Sequence, residues 1–219
     1  MSIVLENFNK VQADIRLKSK NIKNAPSLIA VSKTYPIEYI QPLIQNGHIH
    51  YGENKVQEAE KKWMTLKSTR KDIKLHMLGR LQTNKVKKAV LVFDYIHSLD
   101  SIRLANELIK NENQTGKKLN YFIQVNFADE SQKSGISTTD VLPFFEYCSK
   151  KIKLNVVGLM CFPPFDANPT SYFKKALELN KKLGLSELSM GMSNDYLEAI
   201  NFGSTFVRVG SAIFGKRGN

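Results

Sequence analysis

Three stretches of this sequence carry residues equipped for chemistry: a lysine closing an apolar run, an arginine inside another, and serines set beside glycines. Residues 28–36 read LIAVSKTYP, apolar and β-branched positions followed by Ser32, Lys33 and a turn toward Pro36. This is the pattern of a buried parallel strand with a lysine at its carboxyl end. If Lys33 shares a face with Ile29 and Val31, its stem leaves an apolar layer with the amine at the top. Desolvation there favours the neutral amine, and a neutral amine attacks an aldehyde to form a Schiff base. Arg208, in TFVRVG, alternates with Val207 and Val209 and therefore points to the opposite face. The segment Gly210-Ser211-Ala212-Ile213-Phe214-Gly215 reads as a glycine-turned loop opening a short helix, and MGMSND offers a second helix start at Ser193. Free N–H groups at such starts bind anions. Each feature also has a plainer reading: a surface lysine ending a strand, a salt-bridged arginine, serines that only cap helices. What separates the readings is whether the fold brings these residues together.

The elements that must position them follow one rhythm. Residues 2–19 read as an amphipathic helix with Val4, Phe8, Val11 and Ile15 on one face. After the Lys33 strand, Pro36 opens a helix carrying Ile37, Ile40, Leu43 and Ile44 and ending near Gly47. Strands are then predicted at HIHYG, IKLHMLG, FDYIHSL, YFIQVNF, NVVGLM, ELSMG and TFVRVG. Between them lie helical patterns: Val56, Ala59, Trp63 and Leu66; Gln82 to Val90; Ile102, Ala105, Leu108 and Ile109 opened by Asp100 as cap; Phe173, Ala176, Leu177 and Leu183 stopped by Gly184; and Ser193 to Ile200 closed by Gly203. Residues 128–136 are polar, and Ser137 with Asp140 resembles a capping box. Eight strands, each followed by helical sequence, predict an α/β protein: a single (β/α)8 TIM barrel over residues 1–219 with an extra N-terminal helix. Such barrels commonly run to about 250 residues, so the loops here must be short. The open doubly wound alternative lacks a G-x-G-x-x-G after its first strand.

Closure of a barrel pairs the last strand with the first, which sets Arg208 beside the strand that carries Lys33. The loops after strands seven and eight, where this fold commonly holds phosphate, contain Ser193, Gly210 and Ser211. A Schiff-base lysine, an arginine and two converging helix starts describe a pyridoxal phosphate site, with the aldehyde on Lys33 and the phosphate on Ser193, Gly210 and Ser211.

The same residues fall within ordered motifs spread over nearly the whole chain: AVSKT at 30–34, YGENKVQE at 51–58, HMLGRLQTNK at 76–85, SQKSG at 131–135, SMGMSND at 189–195 and FGSTFVRVGSAIFGKR at 202–217. Together they resemble the pyridoxal-phosphate homeostasis proteins, single-domain relatives of the alanine racemase barrel. The resemblance implies the cofactor bound to Lys33 as a Schiff base, its ring nitrogen facing Arg208, its phosphate on Ser193, Gly210 and Ser211, and Asn54 near the lysine. It also matches Lys133 to the lysine of the family's mobile SKSG-type loop, and the polar character of residues 128–136 suggests a segment that could gate the mouth. Two positions depart from the family pattern: Tyr35 stands where some members have a second lysine, and Arg80 stands at a variable position.

Composition narrows the partners. Against 20 acidic residues stand 32 lysines and arginines, a net charge of +12, which raises nucleic acid, an anionic surface or a phosphorylated ligand as partners. The lysines are scattered over helical segments (Lys18, Lys61, Lys87, Lys110, Lys150, Lys174, Lys181), the pattern of solvated faces. The densest cluster, Lys85, Lys87 and Lys88, has no interleaved aromatics, so nucleic acid is not expected. Cys148 and Cys161 lack metal-ligand spacing and read as ordinary thiols, with no metal expected. No signal-peptide pattern or membrane-length apolar run occurs, and the expectation is a cytoplasmic monomer. Three functions compete: a cofactor-binding homeostatic protein that exchanges cofactor with apo pyridoxal-dependent enzymes, a pyridoxal-dependent amino-acid racemase, and a phosphate-ligand or nucleic-acid binder without covalent chemistry. Length favours the first, because related racemases add a β-domain carrying a tyrosine acid/base opposite the lysine. No residue is therefore assigned a catalytic role.

Overall fold

Apolar β-branched runs separated by helical stretches leave a chain little choice but parallel strands joined by helical crossovers. The computed structural model of the protein describes residues 2–128, 134–164 and 166–215 and realises that choice as a closed barrel. Its strands are β1 (Ser27–Val31), β2 (His50–Glu53), β3 (Lys74–Met77), β4 (Tyr95–Leu99), β5 (Asn120–Asn126), β6 (Ile136–Ser137), β7 (Val156–Cys161), β8 (Glu187–Met192) and β9 (Phe206–Val209). Eight of them form the wall, in the order β1-β2-β3-β4-β5-β7-β8-β9, all parallel. The ring closes where β9 meets β1, with Arg208 opposite Ile29 in register. The two-residue β6, which the sequence reading did not anticipate, adds to the edge of β5 through Val125 and Ile136. It is too short for a period-2 pattern to register.

The crossovers are α2 (Ile37–Gln45), α3 (Val56–Thr69), α4 (Val86–Val92), α5 (Ile102–Thr115), α6 (Val141–Glu146), α7 (Thr170–Lys182) and α8 (Tyr196–Asn201), with α9 (Ser211–Phe214) following the last strand. Ahead of them α1 (Ile3–Lys18) buries the stripe read from the sequence, Val4, Phe8, Val11 and Ile15. It braces α8 and α9: Asn7 Nδ2 donates to Ile213 O (3.1 Å) and Tyr196 Oη to Asp14 Oδ2 (3.2 Å).

Three local expectations are corrected. The α5 cap is Ser101, whose Oγ accepts from Leu104 N, and not Asp100. The helix expected from Ser193 begins at Tyr196, because Asp195 Oδ1 accepts from Met192 N and closes a tight turn first. Ser137 and Asp140 do bond as a capping box would, but across a turn, and α6 starts only at Val141.

Side chains divide into two layers. Between wall and helices lies one continuous apolar cluster that includes Leu75, Tyr121, Phe173, Val207 and Val209. Inside the wall the buried apolar residues are Ile29, Val31, Phe122, Met160 and Phe206. Among the described residues no helix is long and apolar enough to cross a membrane.

Candidate functional site at the barrel mouth

The segment that carries Lys33 is held on both sides. Before it, Ser32 N donates to Gly52 O (2.9 Å), Ser32 Oγ to Glu53 Oε1 (2.7 Å), and Ser32 O accepts from Lys62 Nζ (2.9 Å). After it, Thr34 adopts φ 69°, a left-handed conformation uncommon for a non-glycine residue, and its N–H donates to Glu58 Oε1. Lys62 ties the two anchors together, lying 2.9 Å from Glu53 Oε1 and 3.0 Å from Glu58 Oε1. Trp63 Nε1 donates to the same Glu53 oxygen at 3.0 Å. Lys33 is half-buried above Val31, on the inward face, as alternation along β1 requires.

Across the mouth, Arg208 is buried on the inner face of β9. Nη1 donates to Ser189 Oγ (2.8 Å) and Nη2 to Cys161 O (3.0 Å), while Val207 and Val209 pack outward against helices. Burial lowers its pKa to about 10, which still leaves a guanidinium cation near neutrality. Cys161, beneath it, is pushed up to about 12 by burial, and Cys148 likewise, so both stay as thiols.

The third wall is the turn after β8 and the start of α9. Gly191, at φ 90° with a Cβ position already occupied by Ala199, permits the sharp approach to Ser193. Ser193 Oγ accepts from Gly210 N and Ala212 N, both at 3.3 Å, and so gathers hydroxyl and amides at one place. Tyr35 Oη donates to Gly215 O (3.0 Å) and its ring stacks on Phe214 at 5.0 Å, linking this wall to the Lys33 segment. Asn54 completes the rim after β2. Gly79 lets the β3 loop pass against it, since a Cβ there would collide with the Asn54 carbonyl.

All six candidates, Lys33, Asn54, Ser193, Arg208, Gly210 and Ser211, line one cavity of about 540 Å³. Sequence reasoning missed its apolar walls, Leu78, Met160, Phe162 and Met192, and also Asn194. Most follow or end a barrel strand, the place where this fold puts its functional residues, and that rule would have found them. Lys133 lies outside the described residues. Arg80 is not in the mouth; it lines a neighbouring cavity of about 700 Å³ with Lys55, Lys85 and Arg103, which shares only Asn54 with the first. The mouth thus offers an amine on one wall, a cation with only N–H donors on the floor, hydroxyls and amides on another wall, and apolar sides. An aromatic aldehyde bearing a phosphate fits that donor set.

Residues 7–218 match the protein family described as alanine racemase, N-terminal domain. A pyridoxal phosphate homeostasis protein of Aquifex aeolicus (strain VF5) is 40% identical over 204 residues, 89% of each chain. The structure of PipY from Synechococcus elongatus PCC7942 with PLP bound superposes with a TM-score of 0.81 at 35% identity, over 92% of this chain and 99% of that one. The alanine racemase of Corynebacterium glutamicum shares the fold, with a TM-score of 0.68 at 18% identity, over 94% of this chain and 60% of the racemase.

Proposed function

The chain belongs to the alanine racemase N-terminal domain family and, within it, to the pyridoxal phosphate homeostasis proteins, and from that premise we propose that it binds pyridoxal phosphate reversibly at the barrel mouth and keeps the aldehyde from other amines. The observation that carries this reading is the single cavity shared by Lys33, Arg208, Ser193, Gly210 and Ser211. Lys33 would supply the amine for a reversible condensation with the aldehyde, water leaving as the link forms and water or an incoming amine undoing it. Ser193, Ser211 and the Gly210 amide would hold the phosphate and Arg208 the ring nitrogen, with Asn54 lining the same cavity as the lysine.

Storage is favoured over turnover. An arginine offers donors and no acceptor, so the nitrogen it faces stays unprotonated and the ring is a weaker electron sink. The curated relatives carry a homeostasis name, in keeping with this. In this reading residues 1–219 act as one domain, a monomer in the cytoplasm, with apo pyridoxal-dependent enzymes as recipients of the cofactor. Nucleic acid has no part in it.

Borohydride reduction of the loaded protein tests the central assignment. The visible absorbance should vanish, peptide mapping should find the adduct on Lys33, and Lys33→Ala should lose both absorbance and trapping. An adduct on another lysine would reject the site. Robust, Lys33-dependent racemisation of free amino acids would reject the storage reading in favour of an enzyme.

A further inference from the structure

Three histidines inside the barrel form a hydrogen-bonded file that ends on Arg208. His50 Nδ1 lies 3.0 Å from His76 Nε2, His76 Nδ1 lies 2.9 Å from His97 Nε2, and His97 Nδ1 lies 2.9 Å from Ser189 Oγ. Ser189 Oγ then accepts from Arg208 Nη1 at 2.8 Å. The file draws on β2, β3, β4, β8 and β9, and runs from His50, at the amino-terminal end of β2, to the floor of the mouth cavity. His76, His97 and Ser189 are fully buried. Aromatic rings fix the imidazole planes: Tyr95 stacks on His76 at 4.4 Å, Phe122 on His97 at 4.3 Å, and Phe206 packs against all three histidines.

Proton counting gives the file a direction. An arginine N–H can only donate, so Ser189 Oγ must accept from Arg208, and its single proton is left for His97. His97 Nδ1 is then an acceptor and its proton sits on Nε2, facing His76 Nδ1. The same step repeats from His76 to His50. In the reverse direction Ser189 Oγ would accept from both neighbours, and its own proton would have no partner among the described residues. Burial pushes His76 and His97 well below the ordinary imidazole value, and the Arg208 charge adds to this at His97, so each ring carries one proton.

We infer that His50, His76 and His97 form a one-way chain of Nε2–H tautomers that commits Ser189 Oγ as an acceptor and thereby positions the Arg208 guanidinium from the far end of the barrel. The histidines are positioning residues. They act on the mouth through Ser189 and Arg208 without lining it.

Long-range proton–nitrogen spectra of histidine-labelled, cofactor-free protein test the chain without reference to any ligand. The expected result is the Nε2–H tautomer at all three positions. An Nδ1–H tautomer at His76 or His97, or a mixture of the two, would overturn the assigned direction. In Ser189→Ala, which removes the anchoring donor, both tautomers should appear at His97 and His76; unchanged spectra would overturn the coupling. The influence on Arg208 is read at a distance, and this arm rests on the cofactor reading. His50→Ala should shift the visible maximum of the pyridoxal phosphate-loaded protein, although His50 lies off the mouth cavity. A loaded His50→Ala protein with the wild-type spectrum would reject positioning of Arg208. Wild-type protein that never acquires a visible band would reject the cofactor reading and leave the tautomer result to judge the chain.

Discussion

Outside the barrel wall, buried polar groups serve as joints. Glu112 Oε1 accepts from Leu119 N (2.7 Å) and Tyr121 Oη (2.9 Å), tying α5 to β5, and Asn180 Oδ1 accepts from Leu159 N (3.1 Å), tying α7 to β7. Both lie within a continuous apolar layer, Glu112 also pairing with Lys118 at 3.2 Å. Inside the wall polar side chains nearly match apolar ones: five buried apolar residues share the space with His76, His97, Ser189 and Arg208, which are bonded to one another and reach the mouth. The outer layer holds the fold together through area removed from water. The inner layer sets charge and hydrogen-bond direction at the site, and it accepts a cost in desolvation to do so.

That contrast can be broken by experiments of decreasing effect. Phe173→Ala, in the outer layer, should cost about 3–5 kcal/mol of stability while the cofactor spectrum of the folded protein stays unchanged; a shifted spectrum would erase the distinction between layers. The inner layer should reveal itself in acid. The folded protein resists protonating His76 and His97, whereas the unfolded chain takes up protons below its ordinary histidine value near 6.5, so stability is lost as pH falls from there. The slope should approach about 1.4 kcal/mol per pH unit for each histidine, and denaturation midpoints between pH 7 and 5 measure it. Because burial also lowers His48, outside the file, to about 4, a slope no greater than that of a single histidine would mean that the file is charged or open to water.

Smaller effects refine the mouth itself. Hydrogen bonds to a charged group are worth about 1.5–3 kcal/mol each, so Ser193→Ala with Ser211→Ala should weaken phosphate-dependent affinity well over tenfold by titration. Unchanged affinity would move the phosphate to another wall. Tyr35→Phe removes one bond to Gly215 O and keeps the ring on Phe214. It should cost about 0.5–1.5 kcal/mol in thermal unfolding, and a larger loss would give the hydroxyl a role beyond bracing.

How much of this was legible follows the same division. The outer layer declares itself by periodicity: the four buried positions of α1 and the outward valines of β9 could be read directly from their spacing. Lys33 and Arg208 were legible because each sits near the end of a strand whose inward face alternation fixes. The histidine file was not. His76 and His97 appear in sequence as isolated polar residues in strands, and their contact depends on register between neighbouring strands, which no local pattern encodes. Ser193 was placed at a helix start because the turn held by Asp195 is a side-chain effect that mimics a capping signal. Asn54 came only from resemblance, since a lone asparagine after a strand carries no signal of its own.

The brace between α1 and the segment after β9 has a consequence for the order of events in synthesis. Asn7 and Ile213 are 206 positions apart, and Tyr35 and Gly215 are 180 apart. Contacts this distant demand loop closure before they give any return, so they form late. A ribosome that has released only β1 to β7 presents Lys33 with Met160 and Phe162 but without Ser193, Arg208 or Gly210. The mouth cavity is therefore complete only when α1 and β1 meet the segment from β8 to α9, and a ligand that binds the closed ring draws the equilibrium toward it.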